Sequence, residues 1–244
     1  MSPDPRHCLA LCFEGPLQSW GVGDRFSLRK TASLPSKSAV LGLCCAALGA
    51  ARGSSFEMEW LPKLNRLGCL ALSAPRHRES ASGSTPLTIR RMEDYHTVQN
   101  TRTADGKIKE THITHRTYLN DARFVVLLEG DADCLDQLAA ALRNPVWGIW
   151  LGRKACIPSA PILRGVFPST GEALDAMLGT RSLRTFTHVC DEVFFNDASP
   201  GNDSLMDTPT TFADPRSFLP RRVSSHYGEG TSKDLPGQPS VPRL

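Results

Sequence analysis

The chain has no C-x-x-C pair, no apolar run long enough to span a bilayer, no internal repeat and no strong excess of either charge. Each absence removes a class of function. The eight cysteines (Cys8, Cys12, Cys44, Cys45, Cys69, Cys134, Cys156 and Cys190) lack metal-ligand spacing and sit mostly inside apolar runs. A zinc site and a disulfide framework are both poor readings, and buried free thiols in a reducing cytoplasm fit best. A transmembrane helix would need about 20 consecutive apolar residues. The opening Met-Ser-Pro-Asp-Pro-Arg-His lacks the basic-then-apolar pattern of a signal peptide. The formal charge is only +3, so nucleic-acid binding would need a local basic patch. With 244 residues, 40% of them hydrophobic, the chain can form one large domain or two small ones.

The pattern of apolar runs predicts an α+β fold. Residues 8–13 form a short apolar run that stops at Gly15-Pro16, as a buried strand would. A helix is predicted over 36–48, with Ser36 as N-cap, Gly49 as stop and an apolar stripe at Val40, Leu43, Cys44, Ala47 and Leu48. Strands are predicted at 67–72 and 124–128. A second helix starts at Asp131 or Asp133 and ends at Asn144-Pro145. Further strands are predicted at 146–151 and 162–167 and near 189–195. The resulting β-α-β-β-α-β order is the ferredoxin-like arrangement shared with RNA-recognition modules.

A large insertion divides the two middle strands. Residues 87–119 predict a two-stranded arm around Asp105-Gly106. The strand from Lys107 to Tyr118 has no apolar face, so it is not packed flat on a core. The arm is mildly basic and carries Tyr95, His96, Arg102, Lys107, Lys109, His112, His115 and Arg116. His112 and His115, three apart on a strand, point to opposite faces and make a poor metal pair. Residues 197–211 read as a loop, 212–227 as one returning strand and 228–244 as a disordered tail.

Three segments carry candidate binding chemistry. Gln18-Ser19-Trp20-Gly21 follows the first strand and offers amide donors and an indole face, with Arg25 and Arg29 close behind. Ser36-Lys37-Ser38 opens a helix and sets a cation beside free backbone N–H groups, although serine there is explained equally well as a cap. Gly152-Arg153-Lys154 places two cations at a turn, with Trp147 and Trp150 read as aromatic core behind it. Arg221 and Arg222 read as surface charges or a subunit contact. Together the first segments suit a phosphodiester strand better than a small metabolite.

Gly-Pro-Leu-Gln-Ser-Trp-Gly (15–21), Pro-Ser-Lys-Ser-Ala-Val-Leu-Gly-Leu (35–43), Asp-Tyr-His-Thr-Val (94–98), Arg116–Leu119 and Leu-Gly-Arg-Lys-Ala-Cys-Ile-Pro-Ser-Ala-Pro (151–161) recur in one order. They resemble the CasD-like subunits of type I-E CRISPR Cascade, in the RAMP superfamily. The resemblance spans about residues 8–227. It implies a RAMP domain over 1–167 with the arm 87–119 as its thumb, a C-terminal extension over 168–227 and a tail after it. It also implies a non-catalytic, cytoplasmic, cofactor-free subunit that caps the 5′ handle of the CRISPR RNA. Such a subunit touches the backbone and large subunits, and target DNA only indirectly. The expected RNA contacts are Gln18, Ser19, Trp20, Gly21, Arg25, Lys37, Ser38, Tyr95, His96, Arg102, Lys107, Lys109, His115, Arg116, Arg153 and Lys154. Two other classes compete: a metal-independent endoribonuclease using His and Tyr on the repeat RNA, and a protein adaptor with no RNA role.

Overall fold

The computed structural model describes residues 6–21, 27–75, 77–80, 83–103, 105–192, 194 and 201–228. In chain order the elements are β1 (His7–Glu14), β2 (Leu17–Gln18), β3 (Leu28–Arg29), α1 (Lys37–Leu48), α2 (Ser55–Asn65), β4 (Gly68–Ser73), β5 (His77–Ser80), β6 (Gly83–Pro86), β7 (Arg90–Arg102), β8 (Ile108–Asn120), β9 (Arg123–Gly130), α3 (Ala132–Arg143), β10 (Leu163–Phe167), α4 (Thr170–Leu178), β11 (His188–Asp191), β12 (Asp203–Thr211) and β13 (Ser217–His226). One seven-stranded sheet runs β10-β1-β9-β4-β11-β13-β12, antiparallel throughout. Its first four strands stand in the order fourth, first, third, second of a β-α-β-β-α-β unit. The fold is therefore α+β and ferredoxin-like.

Local chemistry explains the main elements. Ser36 accepts from the Ala39 N–H, and Gly49 closes α1 in the left-handed region at φ 76°. Asp131 caps α3 through the Cys134 N–H. The unbroken apolar runs of β1 and β9 are buried on both faces of the sheet. Leu9, Leu11, Phe13, Phe124, Val126 and Leu128 pack with α1, α2 and α3. Cys8, Ala10, Val125 and Leu127 face the other way, onto Ala173 and Leu178 of α4. All eight cysteines are free; seven are buried and Cys134 is half-buried. Burial pushes the Cys8, Cys45 and Cys69 thiols up to about 12.

Several expectations are corrected. Residues 146–151 form a loop, not a strand. The Val146 and Trp147 N–H groups donate to Ala47 and Ala46 carbonyls, and Leu151 N–H donates to Cys156. The loop thus satisfies backbone acceptors at the end of α1, which a strand pairing would have left open. The supposed loop 197–211 contains β12. That edge strand has few apolar residues, because only two of its nine residues are buried and one of those is the carboxylate Asp207. Residues 195–200 and the tail from 229 lie outside the described residues. Helices α2 and α4 and the β5–β6 hairpin are additions to the expected pattern. Helix α2 has a sequence signal, because Ser54-x-x-Glu57 is a capping-box pattern. The extension after residue 167 continues the same sheet at the edge of β4 through β11.

The arm is the β7–β8 hairpin, paired from Arg90↔Asn120 to Arg102↔Ile108. The Asp105-Gly106 turn is closed by Gly106 N–H to Thr103 and Thr103 N–H to Lys107. Its root is held firmly. Strand β2 pairs with Leu119 and Asn120, β3 pairs with His115 and Arg116, and Tyr118 and Leu119 are buried. Arg91 donates to the Thr31 carbonyl at 3.0 Å and to Ser33 Oγ at 2.8 Å. No helix among the described residues is long and apolar enough to cross a membrane.

Candidate nucleic-acid interface

The first candidate segment is structural. Gln18 is fully buried, and its Nε2 donates to the Phe13 carbonyl at 3.1 Å and the Ala122 carbonyl at 2.8 Å. Ser19 is buried, with Oγ donating to Thr117. The expected stacking face of Trp20 does not exist, because the indole is 1% exposed. It stacks on Phe13 and meets Phe124 edge-on. The backbone donors here are also engaged: Ser19 N–H with Leu151, and Trp20 N–H with Thr31 Oγ1. Only Gly21 of the four is exposed. Arg25 lies outside the described residues.

Lys37 is likewise corrected. Its ammonium is buried among Asp191 Oδ2 at 2.9 Å, Leu67 O at 2.7 Å and Asn65 O at 3.1 Å. The anion at the start of α1 is the protein's own Asp207, whose carboxylate accepts the Lys37 N–H at 2.8 Å. Arg221, read as a surface charge, completes this clasp by bonding Asp191 and both oxygens of Asp207. Burial opposes the Arg221 charge, but the bonds to Asp207 and the charge of Asp191 outweigh it and raise the pKa above its ordinary value. The charges of this clasp are spent on one another rather than on a phosphate. Two cations and two carboxylates tie α1 to β11, β12 and β13.

An open cleft of about 820 Å³ lies beside this clasp. Its floor is the small-residue face of α1, at Ala39, Gly42 and Ala46, and its walls are the 146–154 loop and the segment around Phe212 and Phe218. Ser38 lines it, half-buried, with its Oγ 3.1 Å from Ser36 Oγ. Among the described residues, Arg29, Arg52, Arg153, Lys154 and Arg216 supply five cations, all but Arg153 exposed. Glu57, the one carboxylate lining it among those residues, is buried and accepts from Gly53 N–H at 2.7 Å and Phe212 N–H at 3.1 Å. The cleft is therefore a concentrated positive field on a chain of nearly balanced charge.

Arg153 joins the cleft to the arm. Its guanidinium lies 4.8 Å from the Tyr118 ring centroid and donates to the Thr117 carbonyl at 3.1 Å and the Arg29 carbonyl at 2.9 Å. Gly152, at φ +99°, makes this approach possible, since a Cβ there would stand 1.7 Å from the Ser19 carbonyl oxygen. Along the arm, Arg102, Lys107 and Lys109 are exposed, and His96 and Arg116 are half-buried. Tyr95 is 61% exposed and meets the His115 ring edge-on at 5.2 Å. His115 Nδ1 is 2.6 Å from Glu93 Oε1. The Tyr95↔His115 and Val98↔His112 registers set the two histidines on opposite faces.

The structure thus brings together Gly21, Ser38, Arg153 and Lys154 around one cleft, with the arm residues rising from its edge. It withdraws Gln18, Trp20 and Lys37 into the core and leaves Ser19 at the cleft wall, almost fully covered. Sequence reasoning missed Arg52, Arg216 and above all Trp147 and Trp150. Those two read as core, yet they are 43% and 38% exposed. The signal available is their position after the Asn144-Pro145 helix stop, around Gly148, where a loop is as natural as a strand.

Comparison with known proteins agrees with this architecture. The chain is 28% identical over 227 residues to the CRISPR system Cascade subunit CasD of Escherichia coli (strain K12), covering 90% of this chain and 93% of that protein. Among solved structures, a chain of a CRISPR RNA-guided surveillance complex matches with a TM-score of 0.68 at 23% identity, covering 89% of this chain and 88% of that one. A crystal structure of a Cas protein matches with a TM-score of 0.58 at 25% identity, covering 90% and 93%. The family model described as CRISPR-associated protein (Cas_Cas5) matches residues 8–225, and the chain belongs to that family.

Proposed function

We propose that this protein is a non-catalytic RNA-binding subunit of a type I-E Cascade surveillance complex and holds the 5′ handle of the CRISPR RNA. The observation that carries this reading is the cleft at the arm's root, with its five cations and a single carboxylate already bonded within the protein, counted among the described residues. A single RNA strand supplies the complementary charge, and its splayed bases suit recognition by protein. Phosphate contacts from Arg29, Arg52, Lys154 and Arg216 would set affinity and register. Arg153 would hold the cleft wall against the arm. Gly21, Ser38 and the arm residues Tyr95, His96, Arg102, Lys107, Lys109, His115 and Arg116 would follow the strand outward. The arm would dock on the neighbouring backbone subunit, and the body would contact the large subunit, with target DNA reached only through the assembly.

The test is filter binding beside a denaturing gel, with repeat-containing RNA and EDTA. Uncleaved binding that prefers RNA ending in the handle is expected. Arg52→Ala with Lys154→Ala should lower the salt slope by roughly 0.7 for each phosphate that is no longer neutralised. Cleavage at one defined position, abolished by His115→Ala or His96→Ala, would make the protein an endoribonuclease and overturn this reading.

A further inference from the structure

The chain has four tryptophans, and their burial divides them sharply. Trp20 and Trp60 are 1% and 5% exposed, whereas Trp147 and Trp150 sit 43% and 38% exposed within one short loop of the cleft. Two open indoles so close together forgo the burial that normally stabilises such side chains, and they mark a recognition surface. The loop is built to present them. Its start is bonded to the end of α1 by Val146 and Trp147 N–H groups, and its end is bonded at Leu151 to Cys156 and Ser19. Gly148 makes room for the second ring, since a Cβ there would stand 2.8 Å from Trp150 Cζ2. The indoles therefore ride on a support anchored at both ends, which is what a pre-organised contact needs.

We propose that Trp147 and Trp150 form a stacking site for unpaired nucleobases of the RNA in the cleft, so that the cleft holds base faces as well as phosphates. The inference rests on the RNA-binding reading above and deepens it. Charge decides the occupant. An apolar peptide would suit the indoles but would leave the charges of Arg29, Arg52, Lys154 and Arg216 uncompensated, whereas a nucleic acid strand satisfies both. The volume of about 820 Å³ is near the top of the roughly 300–1,000 Å³ of ligand pockets. Stacking of this kind tolerates any base, because every base has a π-face. It fixes where bases lie without choosing them.

The experiment titrates the full-length protein with a short oligoadenylate and with an abasic RNA of equal length and charge. Tryptophan fluorescence and filter binding are read together over a salt series. The variant Trp147→Leu/Trp150→Leu keeps Trp20 and Trp60 as buried reference fluorophores. Oligoadenylate should quench the parent's fluorescence, and the abasic RNA should not. The double variant should bind oligoadenylate roughly tenfold to a hundredfold more weakly, with the salt slope kept. Gly148→Ala, which displaces the Trp150 ring, should weaken binding in the same direction. Equal binding of both RNAs, unchanged by the leucine variant but still salt-dependent, would sink the stacking site and leave the phosphate reading standing. No binding of either RNA would overturn both. Shielding of the indoles from iodide by Cascade protein subunits alone, with RNA giving none, would assign the cleft to a protein and overturn the proposal.

Discussion

Replacing Lys37 with methionine separates two views of the helix start. Sequence suggests a phosphate ligand there, but the structure makes the ammonium part of the core. Lys37 is 4% exposed and holds Asp191, Asn65 and Leu67 together. Removing one partner of a buried ion pair costs about 3–5 kcal/mol. Arg221 and the Cys69 N–H remain on Asp191 and pull the cost toward the lower end. The two carbonyls left without a donor pull it the other way. For a chain of this size, about 2–4 °C is lost per kcal/mol, so Tm should fall by roughly 6–20 °C. Urea unfolding followed by circular dichroism measures the change, and a cycle with Asp191→Asn isolates the pair. RNA binding, measured well below the variant's Tm, should keep the parent's salt slope. A variant as stable as the parent, or a slope lowered by about 0.7, would refute the reasoning and return Lys37 to the RNA.

Gly152→Ala should lower stability by about 1–3 kcal/mol from the left-handed backbone alone, with more from the clash at Ser19, and should weaken RNA binding; an unchanged Tm would mean that the close approach is absent. Removing residues 103–110 shortens the arm at its tip, whose described residues are exposed. Folding should be spared and co-purification with the backbone subunit abolished, and normal assembly would show that the tip is not the docking element. Burial, opposed by the Phe186 carbonyl and reinforced by the charge of His226, holds His188 below the ordinary histidine pKa. The unfolded chain then binds that proton more readily, so stability should be complete above the ordinary histidine range and decline as pH falls through it. His188→Gln should flatten that part of the pH profile, as read by urea midpoints.

Much of the fold was legible because its signals are local. Ser36, Gly49 and Asp131 act within a few residues of where they stand, and the runs 8–13 and 124–128 are apolar because both faces of β1 and β9 are covered. The arm declared itself by lacking an apolar face, and Asp105-Gly106 marked its turn. Strand β12 was not legible, since an edge strand that buries few side chains needs little apolar content.

The candidate site divides along the same line. Family membership followed from motifs in one order. Which tryptophans stay exposed and which lysines are buried did not, because burial is decided by partners far along the chain. Lys37 finds Asp191 at a separation of 154 residues, and Trp20 is covered by Phe13 on one side and Phe124 on another. Trp147 and Trp150 are left open because their loop bonds to the end of α1 instead of joining the sheet. Sequence by itself determined the main elements, their order and the kinds of side chain available. Only the tertiary structure decided which of those side chains desolvation and pairing would take out of reach, and which would face the cleft.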